Sequence, residues 1–382
     1  MSDTHYDYII AGAGAAGLSL AWRLADPAFA HKQVLLLDRS SKRENDRTWC
    51  FWEKGEGPFA SAIFKQWSEV AFYGPQQPMS LQMAPYAYKM LRGLDFYEFT
   101  LQKLQASANV TVRKAEIYDL SNTETGVEVN TSEGSFTADW AFSSLLDNEE
   151  IHAAKKSDFL WQHFLGWQIK TDKPVFNPSK PVYMDFRVPQ TDGSCFVYVL
   201  PFSPFEALVE YTVFSPEVWD KSHYEAGIRS YLKQYFELSD YQILHVEQGR
   251  IPMSSHKFPV NNGKIVFVGT AGGQTKASTG YTFTNIQRHS EAIVGHLRSG
   301  KSPVVRKSLW ESRYAKYDHT LLRVLVQGEY RGADLFERLF MRNTAARMFD
   351  FLDDQSHFGQ ELLIMNSVPR LHFAQAFFKV LF

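Results

Sequence analysis

The sequence has few cysteines, no excess of either charge and no long apolar run. Cys50 and Cys195 are too few for a framework of disulfides or metal ligands, which fits a reducing compartment and predicts no metal site. Lysine and arginine total 40 against 42 acidic residues, so charge gives no reason to expect a nucleic-acid partner. The length of 382 residues favours two or three structural units.

The missing apolar run also bears on location. Asp3 and Asp7 lead directly into the apolar residues 8–11 without the basic region of a secretory leader, so no signal peptide is predicted. The uncharged run from Gly193 to Phe205 is too short and too rich in proline to cross a bilayer as a helix. We therefore expect a cytoplasmic protein whose membrane association, if any, is peripheral.

Aromatic residues, by contrast, are abundant. They make up 15% of the chain, with 30 Phe, 18 Tyr and 9 Trp. A thick core is the default explanation for such a composition, and a large apolar ligand or a membrane surface is an alternative.

A glycine fingerprint marks the N-terminal region. Gly12, Gly14 and Gly17 form a G-x-G-x-x-G turn inside a strand, helix and strand pattern over residues 6–37, and Asp38 closes the second strand. These glycines allow a tight turn, the approach of a pyrophosphate to the backbone, and close packing of helix on strand. The helix N-terminus favours the anion and Asp38 can accept from a ribose hydroxyl, so the pattern predicts a dinucleotide cofactor.

A second glycine-rich turn indicates which dinucleotide. The apolar strand at 263–269 runs into a turn that contains Gly272 and Gly273, and a helix is predicted from Asn285. A chain that returns to the first domain at this point can cover the far end of a long cofactor, which favours FAD over NAD. Backbone N–H groups at such a turn can stabilise negative charge on a reduced flavin.

The remaining patterns predict an α/β protein, α+β overall, with a Rossmann-like FAD-binding domain interleaved with an antiparallel-sheet substrate domain and followed by C-terminal helices. Residues 39–67 show no period and are interpreted as a long loop packed on a ligand. The assigned ranges are 1–80, 105–150 and 247–310 for the FAD-binding domain, 81–104 and 151–246 for the substrate domain, and 311–382 for the helical end. Further predicted strands are 110–113, 126–130 and 135–140, taken as a small antiparallel set, with 140–146, 164–171, 182–188, 195–202 and 207–214; predicted helices are 96–104, 217–235 and 285–298, with more after 312.

Glu210 is the only acid in the apolar run from Leu208 to Thr212. If the side chain is buried, desolvation raises its pKa and lets it hold a proton near neutral pH for delivery to a weak base. If the strand is half-buried, alternation directs Val209 and Tyr211 inward and Glu210 to water. Both interpretations fit the position alone.

Four segments resemble the flavin-dependent lycopene cyclases of carotenoid synthesis, from the N-terminus to about residue 290. They are Asp46-Arg47-Thr48-Trp49-Cys50-Phe51-Trp52, Leu200-Pro201-Phe202 with Val209-Glu210-Tyr211-Thr212, Glu247-Gln248-Gly249-Arg250-Ile251-Pro252-Met253, and Gly272-Gly273 followed by Lys276-Ala277-Ser278-Thr279-Gly280-Tyr281-Thr282-Phe283.

The resemblance implies a cyclisation without net redox change. A proton adds to the terminal double bond of lycopene, an internal double bond attacks the cation, and loss of a ring proton leaves a β-ionone ring, giving γ-carotene and then β-carotene. Reduced FAD, with NAD(P)H as its expected electron source, is implied as cofactor, and lycopene and related linear carotenes as substrates. Glu210 matches the family's glutamate and is assigned as general acid, with the final base left open.

The resemblance also leaves positions open. Tyr211 stands where relatives often carry a second acid, which puts a paired-carboxylate mechanism in doubt and leaves Glu210 to act alone or with the flavin. The segment 142–147 lacks the glycine turn common in relatives, so its cofactor contacts are unassigned. Arg47 pairs with a phosphate, braces the loop, or belongs to a solvated charge run from Lys42 to Arg47. The candidates for the substrate pocket, each of which could instead be core or lid, are Trp49, Phe51, Trp52, Tyr198 and Phe202.

An insoluble carotene has to be drawn from a bilayer, so the helical end is a candidate membrane-contacting segment. A helical cap on the core is the alternative. The residues concerned are Leu362 to Met365, Arg370, Phe373, Phe377, Phe378, Lys379, Val380, Leu381 and Phe382. Two other functions stay open: a flavin monooxygenase or reductase on the same fold, and a noncatalytic carotenoid-binding flavoprotein. A costly buried carboxyl argues against the last of these.

Overall fold

The computed structural model describes residues 5–308 and 310–381, with Asp3 and Phe382 outside that part of the chain. The described strands are β1 (His5–Ala11), β2 (Val34–Asp38), β3 (Thr48–Lys54), β4 (Lys65–Trp67), β5 (Glu69–Tyr73), β6 (Pro78–Gln82), β7 (Tyr86–Arg92), β8 (Val110–Lys114), β9 (Ile117–Asn122), β10 (Val127–Thr131), β11 (Gly134–Ser143), β12 (Phe159–Lys170), β13 (Val182–Asp185), β14 (Ser194–Ser203), β15 (Glu206–Ser215), β16 (Gln242–Ser254), β17 (Asn261–Asn262) and β18 (Ile265–Phe267). The described α-helices are α1 (Ala15–Leu24), α2 (Gly93–Gln105), α3 (Asn148–Ala154), α4 (Lys221–Phe236), α5 (Phe283–Arg298), α6 (Ser312–Gln327), α7 (Gly332–Arg342), α8 (Ala345–Leu352), α9 (Phe358–Ser367) and α10 (Arg370–Leu381). Single 3-10 turns lie at Pro27–Phe29, Ala60–Ala62 and Gly269–Gly272.

The first sheet has eight strands in the order β17-β18-β11-β1-β2-β8, with β9 and β10 continuing from β11. From β18 to β8 the neighbours are parallel, as the strand, helix and strand pattern predicts. Strand β1 is buried on both faces because Ile10 packs under α1, α2 and α5 while Ile9 packs under β9 and β10. The α/β fold class is therefore confirmed.

Two details of this sheet differ from the sequence prediction. Residues 110–113 do not begin an antiparallel set, because β8 pairs in parallel with β2. The segments 135–140 and 140–146 form one strand, β11, which pairs with β10 on one side and with β1 on the other. Local alternation could not reveal that β11 changes from a hairpin partner to a central strand.

The second sheet has seven strands in the order β16-β12-β15-β14-β13-β5-β6. All neighbours are antiparallel except β13 and β5. Alternate residues of β15 pack into two different hydrophobic cores. Val209 and Tyr211 pack with Ile228 of α4. Leu208 and Phe214 pack into the core that also contains residues of the C-terminal helices. Both faces of this sheet are covered, so neither is a solvent face.

The segment predicted as a loop at 39–67 contains two strands. β3 and β4 each pair antiparallel with β7 in a small third sheet. Alternation places Phe51 in the core of the first sheet and Trp52 in the core of the second. Since both faces of β3 carry aromatic side chains, the segment has no polar–apolar alternation by which it could be recognised as a strand.

The predicted domain boundaries do not coincide with the division of the strands between the two large sheets. Residues 69–82 form β5 and β6 of the second sheet, although the sequence assigned 1–80 to the FAD-binding domain. α2 packs beside α1 and the first sheet, although 81–104 was assigned to the substrate domain. The chain crosses between the two sheets more often than composition indicates, and the division into domains stays a prediction.

The C-terminal helices supply one side of the larger core. Phe340 of α7 lies 4.9 Å from Phe72 of β5 between ring centroids, and Phe349 of α8 lies 4.8 Å from Trp52 of β3. α7 and α8 therefore form a cap on the second sheet. Among the helices described in residues 5–308 and 310–381, none is long and apolar enough to cross a membrane.

A buried ion cluster fastens this cap to the loop before α5. The Nζ of Lys276 lies 2.9 Å from Asp318 Oδ2 of α6 and 2.6 Å from Asp354 Oδ1 after α8. Ser278 Oγ donates to the other oxygen of Asp318 at 2.7 Å. Because Lys276 is 4% exposed, its loss would leave two carboxylates without their shared cation.

We expect Lys276→Met to destabilise the fold by about 3 to 5 kcal/mol, the usual cost of breaking a buried pair from one side. Thermal unfolding measures this loss, and limited proteolysis should show earlier cleavage in α6 to α10. Exposed Lys301→Met is the control and should leave both readouts unchanged. An unchanged melting temperature for Lys276→Met would show that the cluster does not hold the cap.

Candidate active site

A cavity of about 560 Å³ connects the glycine fingerprint with Glu210. Its walls include Gly14 at the start of α1, Trp49 and Cys50 of β3, and Glu210 of β15. The cavity thus lies between the two large sheets, with the third sheet along one side. Its further lining residues include Ala15, Ala16, Arg47, Thr48, Tyr88, Ser144, Leu146, Phe164, Tyr198, Leu200, Leu208, Gly249, Gly269, Thr270, Tyr281, Thr282 and Phe283.

The three glycines of the fingerprint differ in their steric surroundings. Gly12 has a φ of +100°, and a Cβ there would clash with Ser144 Oγ. A Cβ on Gly17 would clash with the carbonyl oxygen of Gly12, so α1 can pack this closely only against a glycine. A Cβ on Gly14 would meet nothing within 4 Å, because the space beside it is the cavity. This geometry fits a pyrophosphate beside Gly14, the role predicted from the motif.

Asp38 braces the same turn. Its Oδ2 accepts from Ala13 N at 2.6 Å and lies 3.2 Å from Lys42 Nζ, while its Oδ1 accepts from Ser40 N at 2.7 Å. The carboxylate therefore holds the loop between β1 and α1 in place. Its bond to a ribose hydroxyl stays a prediction.

A second helix also begins at the cavity. Thr282 precedes α5 and makes no side-chain capping bond to it, and Thr282 and Phe283 line the cavity. α1 likewise begins without a side-chain cap, at Gly14. Two helix N-termini with free backbone N–H groups therefore face one space, an arrangement that favours anionic groups at both.

The glycine-rich turn after β18 lines the cavity with other residues than the sequence predicted. Gly269 and Thr270 line the cavity, whereas Gly272 and Gly273 do not. A Cβ on Gly272 would clash with the carbonyl oxygen of Phe267, and Gly273 has a φ of +73°. These two glycines shape the turn, and their assignment as cofactor contacts stays a prediction.

The segment 142–147, which the sequence left unassigned, also reaches the cavity. Ser144 and Leu146 line it, and Ser144 Oγ donates to the carbonyl oxygen of Ala11 at 3.1 Å. Ser144 thereby occupies the place beside Gly12 that a glycine turn would leave open. The absence of a glycine here does not remove the segment from the site.

Glu210 faces this cavity rather than the outer surface. Its Oε1 accepts from Thr212 Oγ1 at 2.8 Å. Burial, and after it the negative charge of Glu247, together raise the pKa of Glu210 to about 8. The interpretation in which Glu210 faces water is thus wrong, since the sheet face that carries it is enclosed.

A second carboxyl stands beside it, contributed by β16. Glu247 is 4% exposed and lies within hydrogen-bonding reach of Glu210. Its Oε2 accepts from Thr48 Oγ1 at 2.9 Å, and burial raises its pKa to about 7. The second acid that relatives often carry at position 211 is replaced here by Tyr211, whose side chain packs on the opposite face of the sheet, and a paired-carboxylate mechanism stays a prediction. Glu247 was visible in the motif that starts at residue 247, but its pairing with Glu210 was not.

Tyrosine hydroxyls line the wall next to Glu210. Tyr183 and Tyr281 share a hydrogen bond at 2.8 Å between their hydroxyl oxygens, and Tyr198 bonds to Tyr281. Burial raises the pKa of each well above its ordinary value, so the phenols stay neutral. The wall therefore offers polarisable rings and hydroxyl groups without fixed charge.

The five predicted pocket aromatics separate into three groups. Trp49 and Tyr198 line the cavity with Glu210. Phe51 and Trp52 line an adjoining cleft of about 300 Å³ and pack against Phe283 and Tyr281, with ring centroids 4.7 Å apart in each pair. Phe202 lies outside both spaces and packs on Phe64, because the register of β14 shifts between Pro201 and Ser203. Its assignment to the substrate pocket stays a prediction.

Arg47 lines the cavity and forms an ion pair with Asp46 at 2.8 Å. Tyr97 Oη donates to the other oxygen of Asp46 at 2.7 Å. The arginine therefore braces the entry to β3, and a bond from it to a phosphate stays a prediction. In the described residues no group of three or more His, Cys, Asp or Glu side chains could hold a metal ion.

A protein-family comparison supports the resemblance of the motifs. The family described as "Lycopene cyclase protein" matches residues 7–377. A lycopene beta-cyclase of a Paracoccus species is 27% identical over 220 residues, which are 55% of this chain and 52% of that protein. A lycopene beta-cyclase of Pseudescherichia vulneris is 22% identical over 310 residues, 78% of this chain and 76% of that protein. The chain spans about half the length of the Paracoccus relative it matches.

Solved structures share the fold at low identity. A geranylgeranyl bacteriochlorophyll reductase-like protein of Thermoplasma acidophilum has a TM-score of 0.66 and 14% identity, covering 98% of this chain and 99% of that one. A halogenase solved in complex with FAD has a TM-score of 0.63 and 13% identity, covering 94% of this chain and 85% of that one. At these identities the likeness shows the fold alone.

The carboxyl pair predicts a pH dependence of stability. A carboxyl with a raised pKa in the folded state binds more protons folded than unfolded, so stability falls as pH rises from 4.5 to about 8. Glu210→Gln removes this ionisation, and thermal unfolding between pH 4 and 9 should show a smaller decline for the variant than for the wild type. Exposed Glu133→Gln is the control and should keep the wild-type decline. Parallel curves for Glu210→Gln and the wild type would contradict a raised pKa.

Proposed function

The chain belongs to the lycopene cyclase family, and we propose that it is a lycopene beta-cyclase, which closes the ψ-ends of lycopene into β-ionone rings by a proton-initiated reaction without net redox change. The observation that carries the proposal is Glu210, a carboxyl of raised pKa that faces a cavity shared with a dinucleotide fingerprint. An alkene is a very weak base, and its protonation needs an acid held in its neutral form in a dry site.

One carboxyl group is enough to supply the proton at the start of the reaction and to accept a proton at its end. The O–H bond of Glu210 breaks and a C–H bond forms at the end of the carotene, which leaves a tertiary cation. An internal double bond attacks this cation and closes the six-membered ring. A ring C–H bond then breaks, its electrons form the ring double bond, and the proton returns to a carboxylate. Glu210 is the proposed acid, and its carboxylate is in position to be the final base.

The aromatic part of the cavity wall suits a cation that must not meet water. Tyr198, Tyr281 and Trp49 offer aromatic faces, which attract a cation by about 0.5 to 2 kcal/mol each at close range. Leu200 and Leu208 add aliphatic surface. A nucleophilic water would convert the cation to an alcohol, so exclusion of water decides whether ring closure wins.

The residues around the cavity fit a flavin dinucleotide. Gly14 with the start of α1 would hold the pyrophosphate, Asp38 would bind the adjoining ribose, and the start of α5 at Thr282 would face the flavin ring. Reduced FAD would supply negative charge beside the developing cation, with NAD(P)H as the proposed source of its electrons. Arg47 is a candidate for a phosphate contact.

A flavin monooxygenase or reductase is the main alternative on the same fold. The structural neighbours include a reductase-like protein and a halogenase, which share the fold and no more. The two classes differ in product: a reductase saturates a double bond, a monooxygenase inserts oxygen, and a cyclase adds a ring with no change in mass. A noncatalytic binder would leave the carotene unchanged.

We expect lycopene in liposomes, with FAD and a reductant in heavy water, to give γ-carotene and β-carotene with one solvent deuteron per ring. Liquid chromatography with mass detection measures both ring number and label. Glu210→Gln should keep flavin binding and lose more than about 100-fold of the rate, the low end of what a general acid contributes. Glu206→Gln on the same strand lies outside the cavity and should cyclise normally.

Oxygenated products would show a monooxygenase and saturated products a reductase, and either result would overturn this proposal. Unchanged lycopene with bound flavin would indicate a noncatalytic carotenoid-binding protein. Normal cyclisation by Glu210→Gln would overturn the assignment of the acid alone.

A peripheral membrane contact through α9 and α10 is part of the proposal. Both helices expose large apolar side chains to solvent. Phe358 is 54% exposed, Leu363 51%, Leu371 68% and Phe378 62%. A carotene reaches the site from a bilayer, and an amphipathic helix pair in the interface would bring the protein to it. The location proposed is therefore the cytoplasmic face of a membrane.

We expect the double variant Leu371→Glu, Phe378→Glu to float less with liposomes than the wild type, because two charges would enter the apolar layer. Arg370 and Lys379, both exposed on α10, should make wild-type flotation stronger on anionic lipid. Tyr118→Glu changes a 65% exposed aromatic residue on β9 and is the control. Equal flotation of all three proteins would place the membrane contact elsewhere.

A further inference from the structure

Glycine stands at the centre of a row of three residues in the second sheet. Gly166 of β12 pairs directly with Glu210 of β15 on one side and with Glu247 of β16 on the other. Residues directly opposite each other on neighbouring strands project to the same face. The two glutamates therefore stand on one face of the sheet, separated by the width of the middle strand.

The missing side chain at Gly166 is what lets the carboxyls meet. Strands lie about 4.8 Å apart, so residues two strands apart are roughly 10 Å apart at their Cα atoms, and a side chain between them would keep them separate. A Cβ on Gly166 would lie 3.3 Å from Glu247 Cγ, 3.4 Å from Glu210 Cβ and 3.0 Å from Leu208 Cδ1. The side chains of both glutamates already lean into this gap.

Each carboxyl has one hydroxyl donor. Thr212 donates to Glu210 and Thr48 donates to Glu247, which leaves the second oxygen of each group for the other carboxyl. Two carboxylates in contact repel each other, so a pair held in this way favours the state in which it keeps one proton.

The charged and titratable groups around the pair do not neutralise it. From the segment before β3, Arg47 lowers and Asp46 raises the pKa of Glu247, and these two side chains form an ion pair with each other. From the other side, the neighbours of Glu210 are the buried groups of Tyr198 on β14 and Cys50 on β3, both neutral at ordinary pH. No lysine or arginine in the described residues forms an ion pair with either glutamate.

We propose that Glu247 is a positioning residue that shares one proton with Glu210 across Gly166 and so sets the protonation state of the acid. This inference rests on the proposed cyclisation. The anionic Glu247 accepts the hydrogen bond of the protonated Glu210 in the resting enzyme. After Glu210 gives its proton to the alkene, two carboxylates face the cation, stabilise it, and draw the ring proton back to Glu210 in the last step.

The pH dependence of cyclisation tests this role. In Glu247→Gln the neighbouring negative charge is gone, so the pKa of Glu210 falls and the alkaline limb of the pH–rate profile should move to lower pH by about one unit or more, the size of coupling that defines an interacting pair. Flavin binding and the circular-dichroism spectrum should be unchanged. A merely structural Glu247 would lower the rate equally at all pH values and leave the limb in place, which would overturn the proposal.

Three further variants separate positioning from folding. Thr48→Val removes the hydroxyl that holds Glu247 and should move the same limb, whereas Thr48→Ser keeps the hydroxyl and should restore the wild-type profile. Gly166→Ala should also move the limb, because its methyl group pushes the carboxyls apart. If Thr48→Val and Gly166→Ala fold and keep the wild-type profile, the geometry assigned to the pair is wrong.

A readout without catalysis distinguishes this inference from the proposed function. Infrared spectra between pH 4 and 9 should show a protonated-carboxyl band that persists to neutral pH in the wild type and is lost at lower pH in Glu247→Gln. If the wild type forms no rings and this band behaves as stated, cyclisation fails and the shared proton stands. If rings form and the band of the wild type is lost near pH 4.5, the shared proton fails and cyclisation stands.

Discussion

The contact between the buried carboxyl of Glu247 and the half-buried carboxyl of Glu210 is the interaction on which the site depends. Glu210 and Glu247 lie in apolar surroundings with one hydroxyl donor each, and burial raises the pKa of both. Such a pair is costly to bury, since each charged form loses its hydration. A fold that keeps it must enclose it from several sides, and the cavity that Glu210 faces lies between the two large sheets with the third sheet along one side.

The arrangement of the second sheet follows from that requirement. Its outer face packs on α4 through Val209 and Tyr211, so the strand that carries Glu210 is fixed by an apolar core behind it. The opposite face of the sheet, which faces the cavity, carries the polar groups of Glu210 and Glu247. Gly166 leaves the one gap in the row, and the carboxyls occupy it. Rigid strands hold the carboxyl more firmly than a loop could, which suits the proposed role of Glu210 as proton donor to one particular carbon.

The third sheet and the cap join the acid to the cofactor region. β3 supplies Thr48 to Glu247 and Trp49 to the cavity, and its rings pack on Phe283 at the start of α5. Lys276, in the loop before α5, is fastened to Asp318 in α6. The start of α5, the carboxyl pair and the helical cap are thus linked by a continuous series of contacts.

The sequence by itself determined the parts that depend on local order. The glycine spacing with Asp38 predicted the parallel sheet and its nucleotide turn, and the isolated Glu210 stood out, because a turn, a helix start and an acid in an apolar run are each defined by neighbours in the chain. Only the tertiary structure decided that Glu210 faces a cavity, that residues 48–54 form a strand, and that the second acid is Glu247 rather than a residue at 211. The physical reason is that Glu247 is 37 residues away along the chain and meets Glu210 through the register of three strands, which no local pattern encodes.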